Sequence, residues 1–149
     1  MISVNILFVC TGNTCRSPMA EAILKQKQLA DVNVRSAGIY AMPNAEMSAH
    51  AQQVLHEANI AHQHLATQLS IAEVEWADLV LTMTTAHKDT IIANYPHTEE
   101  KVFTLKEYTS EGSYENVVDP YGGSKAIYEE TFAELQELVE RLVKILEKN

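Results

Sequence analysis

Residues 6–18, ILFVCTGNTCRSP, predict a buried strand, a tight loop and the beginning of a helix. The first four are apolar and mostly β-favouring, which is typical of a strand covered on both faces. Gly12 and Asn13 tolerate positive φ angles best, so the chain can curl tightly after the strand. Ser17 is a natural N-cap and Pro18 suits the first helical position, so we expect a helix from Pro18 onward.

The loop in this stretch has the features of an anion site. Such a loop points successive backbone N–H groups inward and ends at a helix N-terminus, where a phosphate group fits. Arg16 adds a planar fork that can hold two phosphate oxygens. Cys10 is expected at the floor of the loop, where these groups favour its nucleophilic thiolate. No Gly-Lys-Ser/Thr follows and no G-x-G-x-x-G is present, which argues against a Walker or Rossmann turn.

Composition limits the classes of protein that this chain can belong to. Its 149 residues are 46% hydrophobic, which predicts one soluble domain over residues 1–149. A net charge of −9 argues against nucleic acid or an anionic membrane as a partner. The apolar start lacks a basic leader and is too short for a membrane span. Two cysteines do not form a disulfide scaffold, so we expect a reducing cytoplasm.

Strand and helix patterns alternate along the chain. Strands are predicted at residues 4–9, 32–37, 78–83 and 102–105. Helices are predicted at residues 18–29, 48–58, 70–77, 84–94 and 124–148. This order predicts an α/β fold: a small four-stranded parallel sheet with helices on both faces. Ligands of such sheets bind beyond the carboxyl ends of the strands, and Cys10 directly follows the first strand.

Residues 107–118 are predicted to be a loop, because they contain Gly112, Ser113 and Asn116 and show no clear period. The following residues, 117–123, read VVDPYGG and lead into the last helix. A thiolate that attacks phosphorus needs an acid for the leaving group, and Asp119 is the best candidate. Asp-Pro before Gly-Gly is also an ordinary turn signature. Tyr121 is either an aromatic wall for a substrate or an ordinary half-buried tyrosine.

Two of these motifs together resemble a known family. Residues 10–17, CTGNTCRS, match the C-x5-R-S/T loop of the low-molecular-weight protein tyrosine phosphatases, and residues 119–121, DPY, match their general-acid loop. The order of elements is similar over essentially the whole chain. The resemblance implies a flavodoxin-like, phosphotyrosine phosphatase I-like three-layer sandwich. It also implies a hydrolase that acts on phosphorylated proteins and releases inorganic phosphate, and we expect no cofactor.

The resemblance also implies a role for each matching residue. Cys10 is expected to be the nucleophile, Arg16 to hold the phosphoryl oxygens, and Asp119 to protonate the leaving group and then activate water. Ser17 is expected to donate a hydrogen bond to the Cys10 thiolate. The residues expected to line the phosphate site are Thr11, Gly12, Asn13, Thr14, Cys15 and Ser17, with Tyr121 beside the substrate. Ser36 is expected to brace Asn13, although a strand-end hydroxyl bonded locally is the alternative.

Thr11 bears on which phosphorylated side chain is cleaved. Family members that act on phosphotyrosine usually carry a bulky aliphatic residue here, and a threonine resembles the protein-arginine phosphatase branch of Gram-positive bacteria. Residues 101–108, KVFTLKEY, resemble that branch too, and Gly122 replaces the second tyrosine of many tyrosine-specific members. Asp119 can accept guanidinium N–H bonds, and the Thr11 hydroxyl can orient Asp119 or water. The alternative is that Thr11 is a neutral substitution and phosphotyrosine is preferred.

Cys15 is either a passive small residue or the partner in a reversible disulfide with Cys10, as the resemblance implies. A zinc site is not expected, because the C-x4-C pair lacks two further ligands. Four histidines are predicted to lie on a solvated surface and so to be unsuitable as these ligands: His50, His56, His62 and His64.

Two other activities share this kind of loop. Arsenate reductases of the same fold use a distal cysteine pair, and this chain has no cysteine after Cys15. Phosphocysteine carriers of sugar transport need neither Arg16 nor an acid such as Asp119. Hydrolysis by water therefore remains the favoured prediction.

Overall fold

A computed structural model describes residues 3–110 and 116–148, and its centre is one parallel sheet. The strands are β1 (Val4–Cys10), β2 (Val32–Gly38), β3 (Leu79–Thr82) and β4 (Val102–Thr104). Their spatial order is β2-β1-β3-β4, and every neighbouring pair is parallel. The chain therefore leaves β1 to one side to form β2 and returns to the other side to form β3. Such a reversal opens a crevice at the carboxyl end of β1, where ligands of these sheets bind.

The strand β1 is central because both of its faces are apolar. Ile6, Leu7, Phe8 and Val9 are completely buried. Ile6 and Phe8 belong to one hydrophobic cluster, whereas Leu7 and Val9 belong to a second cluster on the opposite face. The predicted strand covered on both faces is confirmed.

Six helices cover the two faces of the sheet in the described ranges. They are α1 (Arg16–Gln26), α2 (Ala49–Glu57), α3 (Ile71–Trp76), α4 (Thr85–Asn94), α5 (Leu105–Thr109) and α6 (Lys125–Glu147), with a 3₁₀ turn at Pro96–Lys101. Buried side chains of α1, α2, α5 and α6 join the cluster around Phe8. Side chains of α3 and α4 join the cluster around Val9. The predicted three-layer α/β architecture is confirmed. None of the described helices is long and apolar enough to cross a membrane.

The first helix does not begin where the sequence predicts. It starts at Arg16 and follows Cys15, so Ser17 lies inside its first turn and is not the N-cap. The Ser17 hydroxyl is fully buried and contacts Cys10, so it is not free to cap the helix. The helix also ends at Gln26, before the predicted residue 29, because Gln28 adopts a positive φ of 52°.

Part of the predicted loop at residues 107–118 is also wrong. Residues up to Thr109 belong to α5, whose N-terminus is a capping box. The Thr104 hydroxyl accepts a hydrogen bond from the Glu107 N–H, and the Glu107 carboxylate accepts one from the Thr104 N–H. The spacing Thr-x-x-Glu is visible in the sequence and could have revealed the helix. Residues 111–115, which include Gly112 and Ser113, lie outside the described residues.

Three other helices follow a serine or threonine at the N-cap position. Ser48 and Thr84 accept hydrogen bonds from the first turns of α2 and α4 and so cap these helices. Ser70 precedes α3 and accepts no such bond, and its hydroxyl donates to the Glu73 carboxylate.

Candidate active site

A cavity of about 260 Å³ lies at the carboxyl end of β1. Its walls come from the loop between β1 and α1 and from the loop that precedes α6. The residues that line it are Cys10, Thr11, Gly12, Thr14, Cys15, Arg16, Asp119 and Tyr121. The fold thus brings together two segments that are about a hundred positions apart in the sequence, both of which the motifs had singled out.

Cys10 lies at the bottom of this cavity and is 3% exposed. Its Sγ is 2.8 Å from Ser17 Oγ and accepts a hydrogen bond of 3.3 Å from the Asn13 N–H. Ser17 Oγ itself accepts a hydrogen bond from Asn13 Nδ2 at 2.8 Å. Because that lone pair is occupied, the Ser17 hydroxyl hydrogen is free to point at Cys10. Two hydrogen-bond donors can therefore point at the sulfur.

Asn13 holds the loop in shape. It is fully buried with a positive φ of 58°. Its side chain donates to Ser17 and, at 2.9 Å, to Ser36 Oγ, and it accepts a hydrogen bond from the Thr67 N–H at 2.8 Å. Ser36 in turn donates to Glu21 Oε1 at 2.5 Å. The contact between Asn13 and Ser36 is thus present, and Ser36 also continues the network to α1.

Gly38, at the end of β2, is required for the loop to approach the sheet. A Cβ at this position would lie 2.5 Å from the Thr11 carbonyl oxygen and 2.9 Å from the Asn13 nitrogen. Real Cβ atoms do not come this close to backbone, so only glycine fits without a backbone shift. In the sequence Gly38 marks only the end of a strand, and nothing local points to this second constraint.

Arg16 is buried, and its guanidinium is held by the loop that carries Asp119. Its Nη1 donates to the Val117 carbonyl oxygen at 3.0 Å, and its Nη2 lies 3.6 Å from Asp119 Oδ2. A buried guanidinium with its remaining donors at the cavity is suited to an oxyanion ligand.

Asp119 lies at the rim of the cavity, and its side chain is 53% exposed. Its Oδ1 accepts a hydrogen bond of 3.0 Å from the Tyr121 N–H, which orients the carboxyl group. The Tyr121 ring is 79% exposed and lines the mouth of the cavity, so it is not the half-buried tyrosine of the alternative prediction.

The Thr11 hydroxyl has a partner that the sequence did not reveal. Thr11 Oγ1 lies 2.9 Å from Nε2 of His87, a buried residue of α4. Burial, and then the nearby positive charge of Arg16, lower the pKa of His87 to about 4, against an opposing effect of Asp119. His87 is therefore a neutral imidazole near pH 7. The hydrogen bond that the structure gives Thr11 Oγ1 goes to His87 and not to Asp119, contrary to one expectation. A contact across 76 positions leaves no local signal.

Cys15 is buried at the other end of the loop from Cys10. Its Sγ lies 3.3 Å from the Tyr128 hydroxyl and 3.5 Å from Ser48 Oγ. Burial, followed by the hydrogen bond to Cys15, raises the pKa of Tyr128 to about 12. Both cysteines are free thiols in this structure.

Two of the histidines are not on a solvated surface as predicted. The side chain of His64 is only 5% exposed, and its Nε2 lies 2.7 Å from the Asn13 carbonyl oxygen. His62 is partly buried beside it, with the two ring centroids 5.8 Å apart. The loop after α2 folds back against the phosphate loop, which buries them. His56 is exposed as predicted.

Comparison with known proteins identifies the family of this chain. The sequence model of the family "Low molecular weight phosphotyrosine protein phosphatase" matches residues 5–149. The chain belongs to this family.

Individual relatives carry more specific names. The chain is 49% identical to the protein-arginine-phosphatase of Bacillus subtilis (strain 168) over 149 residues, which covers 98% of this chain and 99% of the relative. It is 41% identical to the low molecular weight protein-tyrosine-phosphatase PtpB of Staphylococcus aureus over 143 residues, 96% of this chain and 99% of the relative. The structure of the YwlE arginine phosphatase from Geobacillus stearothermophilus matches with a TM-score of 0.95 and 45% identity, covering 97% and 94% of the two chains.

Proposed function

We propose that this protein is a cysteine-dependent protein phosphatase that removes the phosphoryl group from phosphoarginine residues of proteins. The observation that carries the phosphatase activity is the convergence of Cys10, Arg16 and Asp119 on one cavity at a helix N-terminus. A nucleophile, an oxyanion holder and an acid are the three groups that such a hydrolysis needs.

In the first step the Cys10 thiolate attacks phosphorus and the bond from phosphorus to the leaving nitrogen breaks. Arg16 and the backbone N–H groups of the loop hold the phosphoryl oxygens, where negative charge is concentrated. Asp119, as a carboxylic acid, gives its proton to the leaving guanidine nitrogen. The products are an unmodified arginine side chain and a cysteinyl-phosphate on Cys10.

In the second step water attacks the cysteinyl-phosphate. Asp119, now a carboxylate, takes a proton from this water, the S–P bond breaks, and inorganic phosphate leaves. Cys10 returns to its thiolate, which Ser17 and the Asn13 N–H stabilise at 2.8 and 3.3 Å. The position of Asp119 at the open rim gives water access to this step.

The preference for phosphoarginine rests on the polar groups beside the phosphate. Thr11, held by His87, places a hydroxyl where a bulky aliphatic residue would otherwise narrow the cavity. The half-exposed Asp119 carboxyl can donate a proton through one oxygen and accept a guanidinium N–H through the other. Gly122 leaves the Tyr121 side of the mouth with one aromatic ring fewer for a flat phenyl substrate.

A second candidate function is dephosphorylation of phosphotyrosine. The 41% identity to a protein named as a tyrosine phosphatase favours it, as does the exposed Tyr121 ring, which could stack on a phenyl group. Arsenate reduction and phosphocysteine transfer have less support, because no cysteine follows Cys15 and because Arg16 and Asp119 are both present.

Substrate choice is tested by comparing kcat/KM on a phosphoarginine protein and on a phosphotyrosine peptide. We expect wild type to prefer phosphoarginine, and Thr11→Ile to shift the ratio of the two values toward phosphotyrosine by about tenfold or more, because it removes a hydroxyl and adds bulk. Thr11→Ser keeps the hydroxyl and serves as the matched control, with the wild-type preference retained. Cys10→Ser should release no phosphate from either substrate. A wild-type preference for phosphotyrosine would reject the arginine assignment.

The partners that follow from this proposal are phosphorylated proteins. The activity is proposed to reside in one phosphatase domain over residues 1–149. We place its activity in the cytoplasm, because the Cys10 thiol has to remain reduced to act. The excess of acidic residues offers no attraction for nucleic acid or an anionic membrane.

A further inference from the structure

Three potential metal ligands converge beside the phosphate loop, outside the catalytic cavity. They are Glu21 of α1 and, from the loop after α2, His62 and His64. One ligand atom from each of the three lies within 4.8 Å of the others. None of the three has a role in the phosphatase chemistry proposed above.

His64 is oriented as a metal ligand usually is. Its Nε2 donates to the Asn13 carbonyl oxygen at 2.7 Å, so in the neutral tautomer the ring proton resides on Nε2 and the lone pair on Nδ1. That Nδ1 lies 3.7 Å from Glu21 Oε1. Histidines that bind metals almost always give their other N–H to a carbonyl or carboxylate, which fixes the tautomer and the direction of the ring.

His62 has a buried ring nitrogen, Nε2, without a hydrogen-bond partner among the described residues. A ring nitrogen that keeps its lone pair is the atom that binds a metal. An unpaired buried polar atom is also costly, and a metal ion would satisfy it.

Glu21 contributes a buried carboxylate with a side chain 8% exposed. Its Oε1 accepts the Ser36 hydroxyl and its Oε2 pairs with Lys25 Nζ at 2.5 Å. The Lys25 side chain is about half exposed, so it can swing into water when another cation takes its place.

We propose that Glu21, His62 and His64 bind a divalent transition-metal ion of the zinc class. Two imidazole nitrogens and one carboxylate, with water in a fourth position, form a common zinc ligand set. With metal–ligand bonds of about 2.0 Å, the ligand atoms of a tetrahedral zinc site lie about 3.3 Å apart. The three ligand atoms here lie within 4.8 Å of one another, so small rotations of the side chains would bring them to that distance. Cavities of about 380 and 350 Å³ meet at His64, one lined also by Glu21 and the other by His62, and they give an ion access.

The bound ion would be linked to the phosphate loop through Asn13. His64 contacts the Asn13 main chain, and Glu21 contacts its side chain through Ser36. Because the ligands converge only in the folded chain, the ion should raise the midpoint of thermal unfolding. The proposed metal site differs from the expectation stated from the sequence, which assumed that these histidines lie on a solvated surface.

The test is a titration with Zn²⁺, by calorimetry, and with Co²⁺, by visible absorption. It uses the full chain with Cys10→Ser and Cys15→Ser, because thiolates would bind either ion. We expect one ion per chain and a higher midpoint of thermal unfolding with Zn²⁺. His62→Ala should weaken binding by about tenfold or more. Its matched control, His56→Ala on the exposed face of α2, should leave affinity unchanged.

Lys25→Ala supplies an independent variant that removes no ligand. It should strengthen binding, because the ion no longer competes with the ammonium group for Glu21. The proposal is wrong if no ion binds, if His56→Ala weakens binding as much as His62→Ala, or if Lys25→Ala leaves affinity unchanged or lower. Since Cys10 is absent from these proteins, the result does not depend on the proposed phosphatase activity.

Discussion

At the scale of single residues, the pair formed by Thr11 and His87 connects a buried imidazole to substrate choice. Their side chains are 2.9 Å apart, and Thr11 lines the cavity whereas His87 does not. His87 is therefore a positioning residue in the proposed function. Two measurable consequences follow, one for selectivity and one for stability.

Removing the imidazole should weaken selectivity while leaving the chemistry intact. In His87→Ala the Thr11 hydroxyl loses its partner and can rotate, so the ratio of kcat/KM for phosphoarginine to that for phosphotyrosine should fall by about five- to tenfold, as for one lost hydrogen bond. Activity on a small aryl phosphate should change much less. His97→Ala, an exposed histidine of the 3₁₀ turn, is the control. An unchanged ratio in His87→Ala would show that Thr11 needs no positioning.

The lowered pKa of His87 should appear in the pH dependence of unfolding. The unfolded chain binds a proton at this residue near pH 6.5, and the folded protein only near pH 4. The unfolded state therefore binds more protons between these values, and the free energy of unfolding should decrease as the pH falls from about 6.5 to about 4. The loss is at most about 3 kcal/mol. Urea unfolding of wild type and His87→Gln measures it, and parallel pH profiles for the two proteins would contradict this assignment.

At the scale of elements, two contacts between neighbouring segments shape the site. The close approach of Gly38 to the Thr11 carbonyl sets β2 against the phosphate loop. The hydrogen bond from Arg16 to the Val117 carbonyl oxygen ties the start of α1 to the loop that carries Asp119. The acid loop is thus held by the same residue that is proposed to hold the phosphate.

The capping box of α5 should make a measurable contribution to stability. Thr104→Ala removes the acceptor for the Glu107 N–H, so unfolding should become easier by about 1 kcal/mol. Thr90→Ala on α4, whose hydroxyl only donates within its own helix, is a control of equal size, with a change within about 0.5 kcal/mol. Chemical denaturation of both variants provides the measurement. Equal changes in the free energy of unfolding for the two variants would show that the capping box does not stabilise α5.

At the scale of the whole molecule, the fold places two thiols in one loop and leaves both reduced. Peroxide should oxidise the Cys10 thiolate to a sulfenic acid, and Cys15 should then displace water to form a disulfide. We expect a mass loss of two hydrogens and full recovery of activity with dithiothreitol. In Cys15→Ser the same treatment should cause irreversible loss. Sulfinic acid on Cys10 of the wild type, with no internal disulfide, would contradict the prediction.

The sequence by itself determined the parts of this protein whose causes are local. Hydrophobic runs and periodicity placed all four strands and five of the six described helices, because burial of one face or both faces leaves a repeat along the chain. The loop was visible through Asn13, because few residues other than glycine and asparagine accept its positive φ, whereas Gly12 does not adopt a positive φ. The missed helix α5 was also local, and its capping box was present but overlooked.

Only the tertiary structure decided which distant groups meet. The contacts of Thr11 with His87, of Asn13 with His64, and of Arg16 with the acid loop join segments separated by 51 to 101 positions. Such contacts depend on the order of strands and on how loops pack over the sheet edge, and neither leaves a period in the sequence. The tertiary structure also decided which histidines are buried. The sequence predicted a solvated surface for His62 and His64, whereas the fold partly buries His62 and almost fully buries the His64 side chain. The fold also buries His87, for which the sequence made no prediction, and burial lowers the pKa of His62 and of His87.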